Sequence, residues 1–327
     1  MPAKSILLLL LIAGISLGLY VLYGSNIVAK LASAGNHEPN TELNAPEDAL
    51  TKTGIVQDSR LTEISGIDAS FGNPNAYWVH NDSGNPAEVF LIAETGETLM
   101  RVILEGAKNI DWEDISVFQI SGKNYVCVAD VGDNTGKRQS CNLYLFEEPK
   151  LPKDGSEKPH EVTIKDFKKL KFTYEDGPRN CEAIAFDHKG QSLFLFQKAI
   201  DKKEKEKSFG IYELKFNVND LALQSNVAVR IAENTDRITT GAAISRDAKQ
   251  LILCNYAVGA WATKPLVVKW SSSLNNSSFK PIPLPVQRQR EAICFSADSK
   301  SAIVVSEFGK QPIWKINLNK VLNPKTQ

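Results

Sequence analysis

The chain has 327 residues, enough for two ordinary domains or one large all-β domain. An apolar fraction of 43% with 23% charged residues excludes a disordered chain. Lys plus Arg equals Asp plus Glu at 38 each, so no global field draws in nucleic acid or an anionic surface.

In chain order, the first predicted element is a membrane-spanning helix. Residues 5–29 carry no charge, and 6–23 are nearly continuous apolar sequence, long enough for a bilayer core of about 30 Å. Only Lys4 and the terminal amine precede the run, which places the start in the cytoplasm and exports the rest. The run exceeds the usual hydrophobic core of a signal peptide, which favours an uncleaved anchor over 1–24. Cleavage at Ala32-Ser33-Ala34, giving a periplasmic or secreted protein, is the alternative. Residues 25–53 read as a tether, polar and proline-punctuated from 35 onward.

From residue 54 to about 320 the pattern is short β-rich runs divided by Gly, Asn, Asp and Pro, with no long helical periodicity. A short phrase recurs within it: Ser65-Gly-Ile-Asp-Ala, Glu113-Asp-Ile-Ser-Val, Glu182-Ala-Ile-Ala-Phe, Ala242-Ala-Ile-Ser-Arg and Glu291-Ala-Ile-Cys-Phe. The starts are 48, 69, 60 and 49 residues apart, the period of a propeller or solenoid array. A second apolar run follows each phrase (76–80, 124–130, 192–198, 250–256, 301–307), then a third (87–93, 143–147, 210–214, 266–270, 312–316). A more polar fourth run follows in four units, near 99–104, 170–174, 227–232 and 279–284.

The last unit lacks a fourth run, and an unassigned strand at 54–60 precedes the first. The expectation is a β-propeller of four-stranded blades, closed by the N-terminal strand completing the C-terminal blade, which removes an exposed edge. Five units are countable, and a sixth would have to lie between 139 and 181. Residues 321–327 form a short tail.

The first strands of a propeller line its channel, so the residues opening the phrase (Ser65, Glu113, Glu182, Ala242, Glu291) converge on one axis. Converging carboxylates repel unless a cation or shared protons stabilise them. Oxygen ligands without sulfur suit a hard cation, and calcium is the expected cofactor, with Asp82, Glu113, Asp133, Glu182 and Glu291 as metal ligands. His80, Asn81, Asp111, Asp114, Asp130, Asn134 and Glu307 join them as ligand-binding candidates. Arg138, Arg179 and Lys198 would either meet an anionic ligand or neutralise the acids. The segment from Asp130 to Gly136 is oxygen-rich and glycine-punctuated but lacks EF-hand spacing, and structural Asx turns explain such loops equally well taken singly.

No Gly-x-Ser-x-Gly, His-Glu-x-x-His, P-loop or dinucleotide fingerprint occurs, and histidine-dependent nucleophilic catalysis has only His80 to draw on. Trp112 and Trp261 lie beside polar loops and are candidates for lining a cleft. Of the five cysteines, Cys141 and Cys181 form the one plausible disulfide pair, and an odd total leaves at least one thiol free.

The ordered series His80-Asn-Asp-Ser-Gly, Asp111-Trp-Glu-Asp-Ile, Asp130-Val-Gly-Asp-Asn, Asp176-Gly-Pro-Arg-Asn-Cys-Glu-Ala-Ile, Thr240-Gly-Ala, Glu291-Ala-Ile and Ser306-Glu-Phe-Gly resembles exported bacterial β-propellers of the phytase-like and NHL-like type, over about residues 54–318. That resemblance implies an envelope propeller with a calcium or phosphate-ester connection. Ala242 and Ala243 stand where such proteins often carry an acid after Thr-Gly, which removes one ligand from a symmetric metal site. The functional expectation is a membrane-anchored extracytoplasmic propeller that binds a ligand or protein partner at an acidic, calcium-stabilised channel mouth. The alternative is a metal-dependent phosphoesterase on the same rim.

Overall fold

Each repeated phrase opens a strand. The computed structural model describes residues 46, 48–153, 159–198, 209–217, 220–234, 239–265, 267–274 and 279–323. The predicted spanning segment and most of the tether lie outside the described residues. No helix among the described residues is long and apolar enough to cross a membrane.

The closing strand β1 (Leu50–Ile55) comes first, four residues earlier than expected. The first repeat follows as β2 (Ile64–Ala69), β3 (Ala76–Asn81), β4 (Glu88–Ala93) and β5 (Thr98–Leu104), an antiparallel meander. The second repeat begins with β6 (Trp112–Ile120), β7 (Lys123–Asp130) and β8 (Cys141–Glu147). Then β9 (His160–Ile164) turns back to pair in parallel with β5, adding a fifth strand to the first sheet, and β10 (Lys168–Tyr174) completes the second. The interval 139–181 thus holds β8, β9 and β10, and no further sheet starts there among its described residues.

The third repeat comprises β11 (Cys181–Asp187), β12 (Ser192–Gln197), β13 (Phe209–Asn217) and β15 (Val227–Asn234), with the short β14 (Ala222–Leu223) beside β13. Its outer strand touches β10 through two parallel pairs, Thr173–Val227 and Tyr174–Ala228. The fourth is β16 (Gly241–Ile244), β17 (Gln250–Cys254), β18 (Gly259–Thr263), the turn of helix α1 (Trp270–Ser273) and β19 (Lys280–Ile282). The last is β20 (Arg290–Phe295), β21 (Ser301–Ser306) and β22 (Pro312–Asn317), ending in helix α2 (Leu318–Leu322), whose first turn is capped by the Asn317 side chain.

One expected strand is misplaced. The third run of the fourth repeat was expected at 266–270, but β18 lies at Gly259–Thr263. The small residues Ala260 and Ala262 leave room for Trp270, which is fully buried against Leu251 and Leu253 and donates to the Ala248 carbonyl at 3.0 Å. Bulky side chains on β18 would fill the space that the indole occupies.

β1 pairs antiparallel with β22, from Leu50–Ile316 to Ile55–Pro312, so the N-terminal strand does complete the last sheet. The first strands pack in cyclic order, β2 on β6, β6 on β11, β11 on β16, β16 on β20 and β20 on β2. Antiparallel sheets placed radially around a ring of first strands are a β-propeller. Polar groups join adjacent first strands: half-buried Asp68 accepts from Val117 N at 2.6 Å, buried Asp114 accepts from Ile184 N at 2.8 Å, and Ser65 Oγ donates to Glu113 O at 2.6 Å. Between sheets the packing is apolar and aromatic, with Phe118 stacked on Phe186 at 3.8 Å.

All five cysteines are buried and free, so Cys141 and Cys181 are not joined. Burial raises the pKa of every one of them, the behaviour of small hydrophobes.

Candidate functional site: an acidic channel mouth

First strands start, and second strands end, at the same end of the ring, so residues at those positions meet there. Glu113 lies on β6, Glu182 on β11 and Glu291 on β20, while Asp82 follows β3, Lys198 follows β12 and Glu307 follows β21. Asp111 precedes β6, and one carboxylate oxygen each from Asp82, Asp111 and Glu113 lie within 4.8 Å of one another. Their backbone cradle is tight: a Cβ on Gly132 would stand 2.0 Å from Glu113 Oε1 and 2.5 Å from Asp111 Oδ2.

Glu113 is the least compensated of the three. It is 3% exposed, and among the described residues no hydrogen-bond donor or cation pairs with its carboxylate. Burial, then the charges of Glu182, Asp82 and Asp111, push its pKa well above the usual range. Burial raises Asp82 to about 7, and Asp111 is raised by burial and by Glu182.

The other expected metal ligands are engaged differently. Glu182 pairs with Lys198 at 2.8 Å and accepts from Asn180 at 2.9 Å. Lys198 also donates to Tyr256 Oη at 2.7 Å, and Tyr256 donates to Glu291 Oε1 at 3.1 Å. Burial opposes the Lys198 charge, but Glu182 and Tyr256 together hold its pKa above the ordinary value. Glu291 faces Glu307, to which Gln289 donates at 2.5 Å; burial and that neighbour raise Glu291 to about 9. The Asp133 carboxylate is taken by Arg138 N at 2.7 Å and Thr135 Oγ1 at 3.3 Å, so it serves its own loop.

Several ligand-binding candidates have partners within the fold. His80 is fully buried, with Nδ1 2.9 Å from Asn81 O and its ring edge-on to Trp112, and burial lowers its pKa to about 4. Asn81 ties the loop before β2, accepting from Glu63 N and donating to Arg60 O. Asp114 faces the axis and holds backbone amides. Asp130 pairs with Arg138 at 2.8 Å, and Arg138 also donates to Gly132 O at 2.7 Å. Asn134 accepts from Asn180 at 3.3 Å. Arg179 is paired with Asp176 at 2.9 Å and donates to Tyr212 Oη at 2.7 Å. Trp112 is wholly buried, whereas Trp261 lines an open cleft of about 600 Å³ beside Lys280.

Tyr256 and Asn180 are site residues that the sequence reading passed over. The signal for Tyr256 was its place at the end of the fourth repeat's second run, as Lys198 and Glu307 end theirs.

Together these features define a β-propeller whose channel opens at one end through buried and half-buried carboxylates, of which Glu182 is ion-paired and Glu113 has no hydrogen-bond donor among the described residues. No family model matches the sequence, and no curated protein matches it. Among solved structures, the chain is similar to one titled "Structure of U3-55K", at 8% identity and a TM-score of 0.42, covering 84% of this chain and 100% of that one. It is also similar to the WD40 repeats of RRP9, at 7% identity and a TM-score of 0.43, covering 84% and 99%. The propeller assignment itself rests on the strand order above.

Proposed function

We propose that the protein is a five-bladed propeller that binds a hard divalent cation, calcium by its donor set, at Asp82, Asp111 and Glu113, and receives a ligand or protein partner at the same mouth. The observation that carries this reading is Glu113: a buried carboxylate without a donor, facing two more. Carboxylates so placed hold protons or hold a cation, and all-oxygen donors favour calcium over softer metals. The apolar run 6–23 would anchor the chain with the propeller on the extracytoplasmic side. The phosphoesterase reading is not carried forward, because Arg138, Arg179 and Lys198 each already have a carboxylate partner.

The test is thermal unfolding of the full-length chain in mild detergent, with calcium and with chelator. Calcium at a hundredfold excess over its Kd stabilises by about 2.7 kcal/mol, a shift of several degrees. Glu113→Gln is expected to leave the chelated protein as stable as the parent or slightly more so, since it removes like-charge repulsion, and to lose the calcium shift. Gly132→Ala is expected to lose the shift by pushing the carboxylates apart. A parent protein indifferent to calcium, or a Glu113→Gln variant that still responds, overturns the metal site.

A further inference from the structure

Three exposed apolar side chains stand beside the acidic mouth. Phe308 directly follows Glu307, is 44% exposed and has φ +75°. Bulky residues seldom adopt left-handed backbone unless their surroundings impose it. Here Phe308 N donates to Thr62 O at 2.7 Å, so the backbone is fixed while the ring meets solvent. Val286 is 96% exposed on the connection from β19 to β20, the segment whose Gln289 donates to Glu307 and is also left-handed, at φ +39°. Ile110, 51% exposed, immediately precedes Asp111. A lone exposed apolar residue needs no explanation, but a group gathered around a functional opening marks an interaction surface.

Charge decides what such a surface accepts. Asp82, Asp111, Glu113, Glu182, Glu291 and Glu307 converge on the opening, where Lys198 forms an ion pair with Glu182. A divalent ion at Asp82, Asp111 and Glu113 leaves Glu291 and Glu307, which face each other with the Tyr256 hydroxyl and the Gln289 amide alongside. Glu291 and Glu307 share a hydrogen bond, and burial with that neighbour keeps Glu291 protonated at neutral pH; an ammonium or guanidinium group that takes the place of the shared proton, which leaves to solvent, finds two carboxylate acceptors. Phe308 and Val286 come from the two segments that carry this pair.

We propose that the mouth docks a protein segment bearing a lysine or arginine, whose cationic head reaches Glu291 and Glu307 while its apolar neighbours pack on Phe308, Val286 and Ile110. This rests on the mouth being a ligand site and adds the chemistry of the partner. An apolar anchor around a desolvated charge contact is the arrangement from which binding energy is usually drawn. The long apolar stems of lysine and arginine suit them to cross the collar.

The test uses the full-length chain in mild detergent with saturating calcium, against immobilised hexapeptides with leucine flanks and a central Lys, Arg, norleucine or Glu. Expected is at least tenfold tighter binding of the Lys and Arg peptides than of norleucine, with the Glu peptide not retained. Glu291→Gln combined with Glu307→Gln is expected to erase that preference while keeping the calcium-induced melting shift, which shows that the variant is folded. Phe308→Ser and Val286→Ser are expected to weaken all peptides severalfold. Equal binding of norleucine and lysine, a preference that survives the double glutamine change, or no binding at all overturns the proposal. If the lysine peptide binds only when calcium is withheld, one site serves both cations; this proposal then fails and the metal reading stands. A lysine preference without any calcium shift has the opposite meaning.

Discussion

Asp68 shows how one half-buried carboxylate shapes the response of the ring to pH. It accepts backbone amides from Ala69 at 2.8 Å and Val117 at 2.6 Å, yet burial raises its pKa to about 7. A raised acid pKa means that the native state holds the proton more firmly than the unfolded chain. The stabilisation is therefore full below the unfolded value near 4 and is lost as pH rises toward 7. Asp68→Asn is expected to flatten the fall in melting temperature between pH 4 and 7, at the cost of one accepted amide. Melting curves across that range check it, and an unchanged slope would assign the pH response to other groups. Glu113, Glu182 and Glu291 were visible in the sequence because they open equivalent copies of one phrase. Their division into a cation group, a Lys198-paired glutamate and a facing pair was not, since it depends on which side chains from different blades meet.

Among the elements, the strands were legible wherever alternating β-branched and aromatic residues marked them, and β2, β6, β11, β16 and β20 fall on the repeated phrase. The fourth repeat misled because its third apolar run, 266–270, is not its third strand. Val267 is 93% exposed there, while the small residues of β18 make the space for Trp270. The added strand β9 also escaped notice, because its alternation is half polar and it pairs with a sheet from the preceding repeat. Cohesion between sheets rests on stacked rings such as Phe118, Phe186 and Phe216, all buried in one cluster. Phe118→Ala is expected to cost about 3–5 kcal/mol, read from chemical denaturation. A loss below about 1 kcal/mol would show that the neighbouring sheets repack around the gap.

For the whole molecule, ring closure depends on six residues at one end of the described chain pairing with the last strand. Removing β1 leaves the outer edge of β22 unpaired and opens the ring, exposing a strand edge prone to self-association. A chain lacking residues 1–56 is expected to lose its single cooperative melting transition and to aggregate on heating, which light scattering during the melt would detect. A sharp, unshifted transition would mean that the first strands alone hold the ring.

The direction of β1 has a further consequence. The acidic opening lies at the end where first strands begin and second strands finish. Because β1 runs antiparallel to β22, Leu50 sits opposite Ile316, at the far end, and Ile55 opposite Pro312, near the opening. β1 thus starts at the end opposite the carboxylates and runs along the outer edge of the last sheet toward the opening. Asp48 and Ala49 continue at that starting end, beside Lys320 and Asn317, so the point where the described chain enters the ring and the carboxylates of the opening occupy opposite ends.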